Sequence, residues 1–271
     1  MPPSIWTARG GGRMRGQVEQ PPQPETLQED EELRAGMSRL LRKGFPTAGR
    51  WLAVAAVLLS SLVVLGARAD AVETKTIICL GDSLTAGYGL TEDQAYPALI
   101  EGLAAHDHLS WRVINAGVSG DTTTGGLHRL AWILRAKPDL VLIALGGNDG
   151  LRGLPLDMTR DNLVRLVEQV QASGARVCVA GMLLPRNFGE DYRSQFAGIF
   201  PAVVKATHCP LMPFLLAGVG GNPSLNQADG IHPNVVGQQI VARNVYRFLL
   251  SQLEPAFATS VASTPAYAPA R

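Results

Sequence analysis

Residues 76–85 read TIICLGDSLT, and this stretch decides the fold. Its first five residues are apolar or β-branched, which predicts a short buried strand. The strand ends at Gly81-Asp82-Ser83 and a glycine-rich loop follows. Ser83 therefore lies beyond the carboxyl end of a strand, where open α/β sheets bind their ligands. The same residues also suit a turn in which Asp82 and Ser83 cap the next helix.

Ser83 becomes a nucleophile only if a base takes its proton and hydrogen-bond donors hold the oxyanion that forms. Residues 229–233 read DGIHP, so one turn can present a carboxylate and a histidine to the same serine. Two further blocks, residues 115–121 (NAGVSGD) and 146–149 (GGND), each follow an apolar run that predicts a strand. Their glycines let the backbone come close to a ligand, and an asparagine amide is a neutral donor suited to an oxyanion.

In this order, the four blocks resemble those of the SGNH (GDSL) hydrolase superfamily. They are most similar to its bacterial periplasmic branch of multifunctional thioesterase, lysophospholipase and arylesterase enzymes. The resemblance covers about residues 75–253 and includes the run GNDGLRG at residues 147–153. The Gly-x-Ser-x-Gly elbow of the α/β-hydrolases is absent, because residues 81–85 lack the last glycine. The resemblance implies a flavodoxin-like parallel sheet of order 2-1-3-4-5.

Carried over position by position, the resemblance assigns roles to five residues. It implies that Ser83 is the nucleophile, that His232 is the base and that Asp229 is the partner of the histidine. It also implies an oxyanion hole formed by the backbone N–H of Ser83, Gly117 and the side-chain amide of Asn148. The reaction expected from these roles is hydrolysis of an acyl ester or thioester through a covalent acyl-enzyme.

The two ends of the 271-residue chain differ from its middle. Residues 1–50 are polar and predict a disordered leader, which lies partly upstream of an alternative start at Met37. Residues 51–69 combine an apolar run with Ala67-Arg68-Ala69 and follow several basic residues, which predicts a signal peptide. An uncleaved membrane anchor is the alternative. We expect a hydrolase domain at 70–254, a disordered tail at 255–271, and a periplasmic or secreted protein.

Composition excludes several classes of partner. Removal of residues 1–69 leaves 15 basic and 17 acidic residues, and no basic patch predicts nucleic-acid binding. The histidines other than His232 have no further metal-ligating residues near them in the sequence, so we expect no metal and no cofactor.

The sequence contains three cysteines, Cys79, Cys178 and Cys209. One disulfide between two of them is possible, and the alternative is that they are buried thiols.

Strands and helices alternate along the middle of the chain, which predicts parallel βαβ units joined by right-handed crossovers. The predicted architecture is a three-layer α/β/α domain with about five strands. We predict strands at 76–80, 111–115, 140–145, 176–184 and 211–214, and helices at 96–105, 122–136, 155–173, 192–206 and 233–253. Pro201 is expected to interrupt or kink the fourth helix.

The substrate is expected to be a small-molecule acyl ester or thioester. Five residues that follow strand ends could line an acyl groove, although ordinary loop packing would also explain them: Leu151, Leu154, Leu183, Leu184 and Pro185. A carbohydrate O-deacetylase is the alternative enzyme, but Trp111 and Trp132 are predicted in core elements and offer no sugar platform. A non-catalytic exported binding domain is the alternative outside enzymes. We expect a monomer with peripheral contact to lipid, and we interpret Asp82 as a hydrogen-bond acceptor that orders its loop.

Overall fold

The computed structural model describes residues 73–255 and 258–259. The predicted leader at 1–50 and the predicted signal segment at 51–69 lie outside the described residues, as does most of the predicted tail at 255–271. The five strands are all parallel, in the order β2-β1-β3-β4-β5. They are β1 Lys75–Gly81, β2 Trp111–Gly117, β3 Leu140–Ala144, β4 Arg176–Ala180 and β5 Leu211–Met212. The predicted strand order is confirmed.

Helices cover both faces of this sheet, since every residue of β3 is buried. The helices are α1 Ser83–Ala86, α2 Tyr96–His106, α3 Thr123–Ile133, α4 Gly147–Leu151, α5 Leu156–Ala172, α6 Glu190–Thr207 and α7 Val235–Leu253. Helix α2 packs against α7, while α5 packs against both α3 and α6. The predicted three-layer α/β/α architecture is confirmed. Short 3₁₀ turns occur at Glu92–Gln94, Leu134–Ala136 and Arg186–Phe188.

Several elements differ from their predicted bounds, among them β4, β5 and α6. Strand β4 ends at Ala180, four residues before its predicted end, although the Gly181 N–H still donates to the Met212 carbonyl at 2.8 Å. The neighbouring strand β5 ends at Met212, before Pro213, whose nitrogen has no hydrogen to donate to a ladder. Helix α6 runs through Pro201 and continues to Thr207, so the predicted interruption is absent within it.

The prediction that Trp132 belongs to the core is wrong. The buried residues of α3 recur at helical spacing, at Thr123, Gly126, Leu130 and Ile133, and Trp132 falls outside that stripe. Its side chain is 71% exposed. The helical phase of α3 therefore decides its exposure, and the apolar character of the side chain does not.

The three cysteines are buried free thiols. Burial raises the pKa of Cys79 and of Cys178 to about 12, and it also raises the pKa of Cys209. A thiol that stays protonated is a poor nucleophile. These residues act as small apolar side chains of the core, and the disulfide left open by the sequence is not formed.

Candidate active site

Three strand ends meet at one edge of the sheet and define the site. In the pairing register, Gly81 at the end of β1 is opposite both Gly117 of β2 and Ala144 of β3. The loops that follow these strands therefore emerge side by side. They carry three of the four sequence blocks that suggested a hydrolase, and the fourth block lies immediately before α7.

Ser83 is the first residue of the short helix α1, directly after β1. Asp82 is the N-cap of this helix, and its Oδ1 accepts a hydrogen bond of 3.0 Å from the Leu84 N–H. Gly81 must be a glycine, because a Cβ would lie 1.9 Å from the Thr85 Oγ1. The tight turn therefore places the Ser83 hydroxyl beyond the sheet. Both readings of this stretch apply, since Asp82 caps the helix while Ser83 faces the fourth block.

Ser83, His232 and Asp229 form a continuous hydrogen-bonded chain. The Ser83 Oγ lies 2.8 Å from the His232 Nε2, and the His232 Nδ1 lies 2.7 Å from the Asp229 Oδ2. The other oxygen, Oδ1, accepts from the backbone N–H of Ile231 at 2.9 Å and from that of His232 at 3.0 Å. The carboxylate thus holds both the ring and the backbone of the histidine, and Nε2 is left to face the serine.

Asp229 is held in its ionised form. Partial desolvation acts to raise its pKa, but the hydrogen bonds from the His232 backbone and ring and from the Ile231 N–H outweigh it and lower the pKa to about 2. At neutral pH the carboxylate is therefore a full negative charge beside the imidazole. Such a charge favours the Nδ1–H tautomer and stabilises an imidazolium.

Two of the three predicted oxyanion donors border the same cleft. The backbone N–H of Ser83 is at the start of α1, where N–H groups have no partner within the helix. The Asn148 Nδ2 donates to the Asp121 carbonyl at 2.9 Å and lies 3.3 Å from the Asp82 Oδ2. Ser83 and Asn148 both line the cleft. The amide of Asn148 is therefore fixed in orientation by the loops around the nucleophile.

Gly117 is not brought to the cleft. It closes β2, and its N–H donates to the Asn115 Oδ1 at 3.0 Å. A Cβ at this position would lie 2.2 Å from the Ala86 backbone nitrogen, so the glycine permits close packing of β2 against α1. In this structure Gly117 packs β2 against α1 and does not border the cleft. The sequence had predicted that it would be an oxyanion donor.

Gly120, which was not predicted from the sequence, is the glycine of this block that borders the cleft. It borders the cleft with φ of +79°, and its N–H has no hydrogen-bond acceptor among residues 73–255. The turn begins later than the end of β2 would indicate, because the Val118 N–H still donates to the Gly81 carbonyl. The chain therefore leaves the sheet only after Val118. The signal in the sequence was the second glycine of the block at 115–121.

Arg129 fastens this turn to the sheet. Its guanidinium donates to the Gly81 and Ala116 carbonyls, at 2.9 and 2.7 Å, and forms an ion pair of 2.7 Å with the Asp121 carboxylate. The ends of β1 and β2 and the turn at Gly120 are thus joined by one side chain. A hydrogen-bond donor in a turn that is held in this way keeps its position during a reaction.

Ser83 lies at the wall of a cleft with a volume of about 890 Å³. Four of the five predicted groove residues line it, namely Leu151, Leu183, Leu184 and Pro185. Leu154 does not line the cleft; its N–H bonds to the Asp149 carbonyl. Further apolar lining residues that the sequence reading missed are Tyr88, Met182, Phe214, Leu216 and Ile231. The cleft can therefore hold an apolar chain.

The polar part of the cleft is cationic. Arg186 and Arg193 line it, and neither forms an ion pair with another described residue. The only carboxylate in the lining is Asp82, which is 2% exposed. Burial raises the pKa of Asp82 to about 6, despite the hydrogen bond from Leu84. An anionic group in the cleft would thus meet two guanidinium groups, and the one carboxylate in the lining is buried.

Two other features are absent from the part of the chain that the structure describes. It contains no group of three or more histidine, cysteine or acidic side chains able to hold a metal ion. None of its helices is long and apolar enough to cross a membrane.

Comparisons with known proteins agree with this site. The family model described as GDSL-like Lipase/Acylhydrolase family matches residues 79–240. The chain is 40% identical to Esterase TesA of Pseudomonas aeruginosa over 192 residues, which are 70% of this chain and 96% of the relative. It is 38% identical to Thioesterase 1/protease 1/lysophospholipase L1 of Escherichia coli over 199 residues, 72% of this chain and 89% of the relative.

A solved structure of the psychrotrophic esterase EstA from Pseudoalteromonas sp., inhibited by monoethylphosphonate, is also similar. It superposes with a TM-score of 0.64 at 34% identity, covering 66% of this chain and 98% of that one. The matched region spans the four blocks that carried the resemblance to the SGNH (GDSL) hydrolases, and that resemblance is confirmed. The chain belongs to the GDSL-like lipase/acylhydrolase family.

Proposed function

We propose that this protein is a serine esterase and thioesterase that works through an acyl-enzyme on Ser83. The observation that carries the proposal is the continuous chain from Asp229 through His232 to Ser83, with contacts of 2.7 and 2.8 Å, beside a largely apolar cleft. Ser83 Oγ attacks the acyl carbon while its proton passes to His232 Nε2. The C–O or C–S bond then breaks, and His232 protonates the leaving alcohol or thiol. Water repeats the sequence and releases the acid.

Three donors would receive the oxyanion of each tetrahedral intermediate. They are the Ser83 N–H, the Asn148 amide and, in place of Gly117, the N–H of Gly120. The support for Gly120 is its unpaired N–H at the border of the cleft and the anchoring of its turn by Arg129. Two backbone donors and one amide, fixed before the substrate arrives, stabilise charge that is present only along the reaction path.

The lining of the cleft supports the proposal that the substrate carries an acyl chain. The relatives include proteins named as an esterase and a thioesterase, which agrees with this proposal. The apolar lining suits an acyl chain, while Arg186 and Arg193 suit a leaving group that carries phosphate. A thioester of coenzyme A and a lysophospholipid both have this chemistry. Neutral aryl esters have no phosphate in the leaving group, so their hydrolysis measures the acyl transfer to Ser83 without a contribution from the two arginines.

The test of the proposed function is a substrate series on the purified protein. Aryl esters of increasing acyl length are compared with coenzyme A thioesters, with neutral thioesters of the same acyl chains and with acetylated sugars. We expect turnover of the aryl esters, and higher kcat/KM for the coenzyme A thioester than for its neutral counterpart. Turnover restricted to acetylated sugars would replace the proposal with an O-deacetylase. Absence of turnover on every substrate would indicate a binding domain.

Replacing Asn148 with alanine should lower kcat and kcat/KM together, by about 10²–10³-fold, with KM almost unchanged. The reason is that an oxyanion donor acts only on charge that develops during the reaction. The measurement pairs steady-state kinetics with a thermal melt on one preparation. A melting temperature lowered by several degrees, with kcat within about threefold of wild type, would limit Asn148 to its hydrogen bond with Asp121.

We also propose that the protein is exported, as a monomer that contacts lipid only peripherally. Residues 51–69 supply the apolar run and the cleavage pattern. Exposed apolar side chains at the cleft, Tyr88, Leu183 and Ile231, support the contact with lipid. Amino-terminal sequencing of the protein purified from the periplasm or medium should find a start near Asp70. A start before Trp51 would show that the apolar run is retained.

A further inference from the structure

The ring of Tyr88 lies over the imidazole of His232. The two ring centroids are 4.6 Å apart and the ring planes are inclined by 39°. Tyr88 also lines the cleft, and its side chain is 52% exposed. Exposure of this extent means that the ring contributes little to the core. Its main contact among the described aromatic rings is the histidine beside the nucleophile.

The backbone on either side of Tyr88 is built to present this ring. Gly87 and Gly89 have φ of +76° and +78°, which a residue with a side chain rarely adopts. At Gly89, moreover, a Cβ would lie 2.3 Å from the Gln227 Oε1. The loop after α1 therefore turns twice within three residues and approaches the loop that carries His232.

Gln227 fastens the two loops together. Its Nε2 donates to the Tyr88 carbonyl at 2.6 Å and to the Pro233 carbonyl at 3.1 Å. Its backbone N–H donates to the His232 carbonyl at 2.7 Å. One residue thus bonds to the chain on both sides of the ring contact. The position of Tyr88 over the histidine is a connected feature of the structure.

Three groups contact the imidazole of His232, and a fourth interacts with it electrostatically. The Ser83 hydroxyl lies at Nε2 and the Asp229 carboxylate at Nδ1, while the buried Asp82 carboxyl acts on the ring without a hydrogen bond to it. The Tyr88 ring packs against the imidazole at a tilt, with 4.6 Å between the ring centroids. An aromatic face attracts a cation within about 6 Å of its centroid, and it attracts a neutral ring less.

We infer that Tyr88 is a positioning residue that stabilises the protonated form of His232 and that Gln227 keeps it in place. The inference rests on the proposed function, in which His232 becomes an imidazolium each time Ser83 gives up its proton. Stabilisation of that imidazolium acts in the transition state and therefore raises kcat. The same interaction would act on a protonated His232 in the free enzyme, which gives a separate and measurable effect.

Tyr88→Leu tests the inference, because leucine keeps apolar bulk and removes the aromatic face. We expect kcat at the optimum pH to fall about 2–5-fold. We also expect the acid limb of the kcat/KM profile to move down by about 0.3–0.7 pH unit, the same effect expressed as proton affinity. Tyr88→Phe, which keeps the ring, should restore the position of the acid limb. Trp132→Leu removes an exposed ring elsewhere and should change neither quantity.

A proton NMR titration of His232 in the free enzyme makes the test independent of turnover. Its midpoint should fall in Tyr88→Leu by the same fraction of a pH unit, whether or not the substrate has been identified correctly. An unchanged midpoint with reduced kcat would overturn the inference and leave Tyr88 as a wall of the cleft. Tyr88→Phe behaving as Tyr88→Leu would overturn it too, because the hydroxyl and not the ring would then matter. Tyr88→Met replaces Tyr88→Leu if the latter does not fold.

Discussion

Ser83→Ala abolishes ester hydrolysis and leaves the fold in place. The loss expected in kcat is on the order of 10⁶-fold, as for removal of a nucleophile from a triad whose members act as a unit. The Ser83 hydroxyl bonds only to His232 Nε2 among the described residues, and it lies at the surface of the cleft. Its removal therefore costs little packing, and the melting temperature should stay within about 1–2 °C of wild type. Turnover of an aryl ester and a melt by circular dichroism measure the two effects.

Ser119 provides the matched control for this assignment, since it also borders the cleft. A fluorophosphonate probe should modify Ser83 in the wild type and in Ser119→Ala, but should modify nothing in Ser83→Ala. Peptide mapping by mass spectrometry identifies the adduct. Wild-type turnover in Ser83→Ala, or an adduct on the peptide from Gly117 to Asp121, would remove Ser83 from the role of nucleophile.

The sequence predicted the fold because its strongest signals are local. The run at residues 140–145 is apolar throughout, and the strand that it forms is buried at every position. A central strand of this kind needs helices on both faces, and the helical runs between the strands supply them. The family, the ester-hydrolase class and the order of the strands, which rest on the four blocks together, are confirmed.

The proposed oxyanion donor Gly120 could not be chosen from the sequence, because two glycines share one block. Gly117 and Gly120 are three residues apart, and the choice depends on where β2 stops pairing with β1. The hydrogen bond from the Val118 N–H to the Gly81 carbonyl extends that pairing beyond Gly117. Register between strands distant in the chain is set by tertiary packing, and composition does not encode it. Leu154 was predicted to follow a strand end, but helix α4 lies between β3 and this residue, which does not line the cleft.

Asp229→Asn should lower kcat by about 10³–10⁴-fold, although it preserves the shape of the side chain. Asp229 uses both oxygens as acceptors: Oδ1 takes the N–H groups of Ile231 and His232, and Oδ2 takes the ring. Asparagine has one oxygen and one NH₂ group, so one of these positions would present a donor. If the NH₂ group faces the ring, Nδ1 must accept and the proton moves to Nε2, which can then no longer take the Ser83 proton. If it faces the backbone, two N–H groups lose their acceptor.

The dependence of activity on pH separates this effect from a change in ionisation of the carboxylate. The pKa of Asp229 is lowered to about 2, so the wild-type carboxylate stays charged from pH 5 to pH 9. Over this range wild-type activity should rise as the histidine loses its proton, while Asp229→Asn should stay low at every pH. Asp82→Asn is the comparison variant for the other carboxylate near Ser83: Asp82 caps α1, accepts a hydrogen bond from the Asn148 amide and makes no hydrogen bond with His232 among the described residues, so its loss of activity should be smaller than that of Asp229→Asn. A nearly silent Asp229→Asn beside a severe loss in Asp82→Asn would transfer the role of triad carboxylate to Asp82.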